Sequence, residues 1–280
     1  MTRITILLPL LFALASCASK PGQEDLSLDP QTPEAQYAEG EAARERGDYG
    51  AAMSSFLPLV ELEGEWSLRG KLAIAKLTLD SGRNSEALKA YNVILEDNPS
   101  LVEAQEGKGL ALIGLGEVAA ARRQLQIANN NEGARWRTLN GLGIAADMDG
   151  NYDAAARWYG LALESGGDNP LVINNAAYSR IMAGDYVAAE RLLQRALIRY
   201  PDEQRLRNNL AIAQARQGNY QLAIRTWERS LDAAEARNNA GYIAYLNGDR
   251  EEARKLFQEA SDMSPRYSPS IARNLELVAE

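Results

Sequence analysis

The chain reads as an all-α solenoid of about seven helical hairpins in a row, closed by one further helix. Three observations predict it. Glycines stand at 47, 82, 116, 150, 184, 218 and 248, at intervals of 35, 34, 34, 34, 34 and 30 residues. On either side of each, apolar positions follow a helical period. Around Gly184 these are Leu171, Ile173, Ala176, Ala177 and Ile181 before it and Val187, Ala188, Leu192, Leu193, Ala196 and Leu197 after it. Finally, the same side-chain sizes recur in register. Five residues after every glycine stands alanine (Ala52, Ala87, Ala121, Ala155, Ala189, Ala223, Ala253), and seven before stands glycine or alanine (Gly40, Ala75, Gly109, Gly143, Ala177, Ala211, Gly241). These are the places for close helix approach. A large apolar residue follows nine after each glycine (Phe56, Tyr91, Leu125, Tyr159, Leu193, Trp227, Phe257), and it is expected to fill the space between neighbouring hairpins.

Each glycine supplies the left-handed residue on which one helix ends. An Asp or Asn follows it in five hairpins (Asp48, Asn151, Asp185, Asn219, Asp249), suited to capping the next helix. This pattern resembles the tetratricopeptide repeat, a 34-residue unit of two antiparallel helices. The resemblance covers roughly Pro33 to Pro265 and implies a right-handed superhelix. Repeat 1 is degenerate at its start, repeat 2 carries Arg83 and Asn84 after its turn, and repeat 3 lacks a clear terminal proline. The step from repeat 6 to repeat 7 is four residues short, about one helical turn.

Taken in order, residues 1–17 read as a signal peptide. Ile4 to Ala15 is an apolar run of 12 residues, short of the ~20 that span a bilayer. Leu14-Ala15-Ser16-Cys17 looks like a bacterial lipobox, which implies diacylation of Cys17, cleavage before it and acylation of the new amino terminus. Several acyl chains anchor firmly where one does not. Residue 18 is Ala rather than the Asp of an inner-membrane retention signal, so the expected address is the outer membrane, facing the periplasm. Residues 18–32 are polar and read as a disordered tether. Seven hairpins are expected over 33–267. Residues 268–280 form an amphipathic capping helix with Ile271, Leu275 and Val278 on one face, as an exposed solenoid end requires.

The net charge is −8, and −9 once Arg3 leaves with the signal peptide; that −9 is unevenly placed, −7 from Cys17 to Arg135 against −2 from Trp136 to Glu280. An acidic chain without a basic stripe argues against nucleic acid. There is no histidine and one cysteine. With Cys17 lipidated, no nucleophile–histidine pair is possible, no disulfide can form, and the commonest metal ligands are missing. The Asp and Glu residues sit mostly at turns, caps and outer faces. Gly107-Lys108-Gly109 lies inside a repeat and is not a phosphate loop. No catalysis, no small-molecule substrate and no cofactor beyond the lipid are expected.

What remains is surface. The family resemblance places the first helix of each hairpin along a concave groove. There, paired asparagines recur: Asn140 alone, then Asn174 and Asn175, Asn208 and Asn209, Asn238 and Asn239. An amide both donates and accepts. Such a row either pairs with the backbone of an extended peptide, like the asparagine ladder of some peptide-binding relatives, or ties one hairpin to the next. Tyr178, Met182, Ile212, Arg216, Tyr242 and Tyr245 fall on the same face, a lining suited to adaptable apolar contacts. The layout of lipobox, tether and repeats, with the late run ARNNAGYIAYLNGDREEARKLFQEASDMSP followed by ARNLELV, is most similar to TadD-like lipoproteins of tight-adherence (Flp) pilus assembly. That resemblance implies a secretin or other pilus-assembly component as partner. Pilotins of other secretins and NlpI-like scaffolds for periplasmic hydrolases and proteases share the same features.

Overall fold

The computed structural model describes residues 32–132, 135–166, 168–264 and 266–279. Cys17, the signal segment and the tether up to residue 31 lie outside them. Among the described residues the secondary structure is helical throughout. The helices pair into seven antiparallel hairpins: α1 (Pro33–Glu45) with α2 (Tyr49–Val60), α3 (Glu65–Asp80) with α4 (Asn84–Asp97), and α5 (Val102–Gly114) with α6 (Val118–Glu132). Then come α7 (Trp136–Met148) with α8 (Tyr152–Glu164), α9 (Pro170–Met182) with α10 (Tyr186–Arg199), α11 (Gln204–Arg216) with α12 (Tyr220–Trp227), and α13 (Ala233–Leu246) with α14 (Arg250–Met263). The closing helix is α15 (Pro269–Leu277).

All seven turn glycines have positive φ, from 71° to 85°, the region that glycine enters without a Cβ clash. The side chains of Asp48, Asn151, Asp185 and Asp249 each accept from the amide three residues on. Asn219 makes no such bond.

Every alanine five after a turn glycine is fully buried. The large residue nine after it is buried too, but it works first within its own hairpin. A Cβ added to Gly143 would lie 2.6 Å from Tyr159 Cε1, and one on Gly40 would lie 2.3 Å from Phe56 Cε1. Gly109 meets Leu125, and Gly241 meets Phe257, in the same way. The expected filling between neighbours is added by the same side chains, as Tyr91 lies against Gly107 and Leu125 against Gly141 of the next hairpin. The small site is small because the ring of its own partner helix rests on it.

The short step to the seventh hairpin is taken out of α12, which has 8 residues where α10 has 14. Trp227 fills the joint. It is 2% exposed, shares a core with Leu256 and Phe257, and donates from Nε1 to Asn208 Oδ1 at 2.9 Å. A buried indole N–H needs such an acceptor.

Among the described residues each first helix touches the first helix of the next hairpin, from α1 through to α15, whereas no second helix comes into comparable contact with another second helix. The first helices are therefore the crowded inner row and the second helices the spread outer row. This sets the concave face. The closing helix buries Ile271 against Ala234 and Ala260, and the Arg254 guanidinium donates twice to the Val278 carbonyl, at 3.0 and 2.6 Å.

Candidate functional site

The inner row is built from one face of α1, α3, α5, α7, α9, α11 and α13, and its chemistry changes along the solenoid. At the first two hairpins it is ionic and closed upon itself. Arg44 reaches Glu41 at 3.0 Å and Asp80 at 2.6 Å, and Lys76 reaches Glu41 at 3.1 Å. Burial alone would raise the Glu41 carboxyl pKa. The hydrogen bonds and charges of Arg44 and Lys76 outweigh it and hold that pKa below the ordinary value. Arg69 lies over both Tyr37 and Trp66, 4.5 and 4.3 Å from the ring centroids.

The middle of the row is tied by buried polar pairs. Thr138 donates to Glu106 at 2.6 Å, from α7 back to α5. Ser179 and Tyr159 both donate to Asp147, at 2.6 and 2.8 Å. Burial raises the Asp147 pKa despite these two bonds, and burial followed by the Asp147 charge raises that of Tyr159.

The asparagines form hydrogen bonds across the joints between hairpins. Asn175 donates to Asn140 at 3.1 Å, Asn209 to Asn174 at 2.9 Å, and Asn274 of the closing helix to Asn238 at 2.9 Å. In each case the amide one hairpin on reaches back. The series skips one rung. At the shortened joint the Asn208 oxygen takes the Trp227 N–H, and Asn239 makes no corresponding bond.

The remaining predicted residues divide. Arg216 is engaged: it donates to the Tyr186 hydroxyl at 3.1 and 2.9 Å and to Asn247 Oδ1 at 2.9 Å. Ile212 and Tyr245 are half-buried and pack against the core of the sixth and seventh hairpins. Tyr178 and Tyr242 stand out, 50% and 43% exposed, and Met182, one turn along α9 from Tyr178, is 50% exposed. Leu171, Met148 and Leu246 share their face and are comparably exposed. Met148 and Leu246 were not singled out in the sequence, and Leu171 was read there only as one apolar position of a helical period. Met148 and Leu246, like Met182, stand two residues before a turn glycine, which is the signal that would have found those two. The structure thus gives α7, α9 and α13 a discontinuous apolar lining in the groove. Cys17 lies outside the described residues.

A tetratricopeptide repeat family model matches residues 72–134, 174–233 and 228–268, more than half of the chain. The chain belongs to the tetratricopeptide repeat family. Members of this family are scaffolds for protein–protein interaction. No curated protein matches the chain by sequence. Solved structures share the fold. A tetratricopeptide repeat protein of Parabacteroides merdae is 19% identical with a TM-score of 0.57, covering 89% of this chain and 99% of its own. A thermophilic one from Thermus thermophilus is 19% identical with a TM-score of 0.59, covering 65% and 98%. A chain of the Cut9–Hcn1 hetero-tetramer of the APC/C is 18% identical with a TM-score of 0.67, covering 90% of this chain and 50% of its own. At these identities the likeness is one of fold, and the tetratricopeptide hairpins and their concave groove are what it bears on.

Proposed function

We propose that this tetratricopeptide protein is a non-catalytic adaptor, lipid-anchored through Cys17 on the periplasmic side of the outer membrane, and that it assists assembly of a tight-adherence (Flp) pilus in the manner of TadD-like lipoproteins. The observation that carries the binding reading is the apolar lining of the later hairpins. Tyr178 and Met182 on α9, and Tyr242 and Leu246 on α13, are half exposed on a concave face, and large apolar side chains left exposed in a groove are suited to contact with a partner. Aromatic and methionine side chains adapt to a partner without a fixed lock. With no histidine and a single cysteine at the lipobox position, the residue inventory favours holding a partner over transforming one. The asparagine series is assigned to tying hairpins, because its amides meet one another.

The test is affinity capture from envelopes with the full chain, its Cys17→Ser variant, and a Tyr178→Ala/Met182→Ala/Tyr242→Ala variant. Wild type should carry radiolabelled palmitate and retain the pilus secretin or another component of the pilus machine. Cys17→Ser should lose the label. The groove variant should keep its melting temperature, since exposed substitutions usually change stability within ~0.5 kcal/mol, and lose the partner. Capture of murein hydrolases in place of pilus components would replace the pilus assignment by a scaffold for those enzymes.

A further inference from the structure

The outer row carries an order that the net charge hides. Seven residues after the turn glycine, the second helices of hairpins two to seven present Lys89, Arg123, Arg157, Arg191, Arg225 and Lys255. All six are exposed. Other arginines nearby are spent: Arg122 pairs with Asp149, Arg199 with Asp168, and Arg237 with Glu228 and Glu259. Lys255 lies near Glu252. Lys89, Arg123, Arg157, Arg191 and Arg225 have no ion-pair partner among the described residues. Three of their five helices offer few carboxylates to neutralise them, whereas α4 carries Glu86, Glu96 and Asp97 and α8 carries Asp153 and Glu164. Helix α6 has none before Glu132, α12 has none, and α10 has only Glu190, which accepts from Gln194, Gln214 and Gln217.

One helical turn further along, a second row runs beside the first, since residues four apart share a helix face. It is apolar on α4, α6 and α8, where Val93, Ile127 and Leu161 are 57%, 48% and 44% exposed. On α10 and just past α12 it becomes Arg195 and Arg229, both exposed. So the basic stripe that composition argued against is present, on the convex side, in a chain of net charge −8.

We propose that this convex ridge docks an acidic protein segment with an apolar edge, its carboxylates along Arg123, Arg157, Arg191 and Arg225 and its apolar side chains against Val93, Ile127 and Leu161. Charge complementarity carries the choice. Unpaired guanidinium groups grip carboxylates in bidentate pairs, and arginine is enriched at protein interfaces. A bilayer fits less well. Each of these outer helices offers one exposed apolar side chain in this row, not the broad apolar face by which a helix sinks into lipid. A convex ridge would also meet a flat surface along only part of its length. The ridge is separate from the groove, so it stands or falls independently of the groove and pilus reading.

The experiment uses the full chain and a fluorescein-labelled amphipathic peptide of glutamate and leucine, with the same peptide carrying lysine for glutamate as control. Anisotropy should report binding of the acidic peptide only, weakening steadily as salt is raised, because exposed charges are screened. Arg157→Glu/Arg191→Glu/Arg225→Glu should weaken it at least tenfold. Circular dichroism melting should be unchanged, since these side chains hold nothing in the fold. Tyr178→Ala/Tyr242→Ala in the groove should leave peptide affinity intact. Equal affinity of the charge-reversed variant, or equal binding of the lysine peptide, overturns the proposal. So does binding to phosphatidylglycerol vesicles without binding to the peptide, which would make the ridge a membrane surface. Salt-sensitive self-association without peptide binding overturns it in favour of a second copy of this chain.

Discussion

The first two hairpins and the last four use the same inner positions to opposite ends. Six residues before the turn glycine stand Glu41 and Lys76 in the first pair, and Ile144, Tyr178, Ile212 and Tyr242 in the last four. The early ones neutralise each other and Arg44 within the wall. The later positions include two half-exposed tyrosines. The outer row shows the reverse gradient, apolar at Val93, Ile127 and Leu161 and cationic at Arg195 and Arg229. Because each repeat contacts only its neighbours, a solenoid can change surface chemistry along its length without disturbing the buried columns. One backbone thus holds an ionic, self-satisfied groove end and an apolar, unsatisfied one.

The largest expected break is at the shortened joint. Trp227→Ala should cost ~3–5 kcal/mol, the usual range for deleting a buried large aromatic side chain. It empties the space that α12 is too short to fill and strands the Asn208 oxygen. Nearest-neighbour coupling confines the damage. Amide exchange should accelerate in α11 to α14, while α1 to α4 keep their protection. Uniform loss of protection would mean that the two ends fold as one unit and that their contrast is only superficial.

The asparagine rungs should cost less. Asn175→Ala leaves the buried Asn140 acceptor without its amide, at ~1–3 kcal/mol, and Asn209→Ala strands the half-buried Asn174 oxygen at less, both partly offset by the better helix propensity of alanine. Asn239 makes no rung, so Asn239→Ala should be neutral or slightly stabilising. Thermal melts of the three single variants decide it. A melting point lowered equally by all three would show that the skipped rung is occupied in solution.

Much of this architecture was legible in the sequence because the buried columns repeat. The alanine five after each glycine and the bulky residue nine after it must recur wherever two helices cross at the same place, so seven copies fixed the hairpins and their turns. What the columns did not settle was where an amide points. Asn174 and Asn175 are adjacent in sequence, yet one accepts from the following hairpin and the other donates to the preceding one. That depends on the offset between neighbouring hairpins, which the sequence states only as a residue count. The convex ridge was missed for another reason. Net charge averages over all surfaces, and five unpaired cations on one side disappear among the 38 carboxylates of the whole chain.

The smallest expected effect separates the two inner walls by the sign of their response to pH. Glu41 has its pKa lowered in the fold from 4.5, so its contribution is present above that value and is lost as pH falls through the depressed folded pKa. Asp147 has its pKa raised from 3.8, so the fold favours its protonated form: the gain is full below 3.8 and is lost as pH rises through the raised folded pKa. Glu41→Gln should therefore be near neutral at the acid end of a series running down from pH 7 and destabilising by about 0.5–1.5 kcal/mol at pH 7, the range of an ordinary hydrogen bond, because solvent reaches this half-buried carboxylate and screens its ion pairs. Asp147→Asn mimics the protonated carboxyl, and its amide oxygen still accepts from Tyr159. Relative to wild type it should shift toward stability over the same rise in pH. Urea titrations along such a series would give the two slopes. Slopes of the same sign would mean that the early wall is not held by its ion pairs, and the contrast between the two ends of the groove would have to rest on the exposed apolar side chains alone.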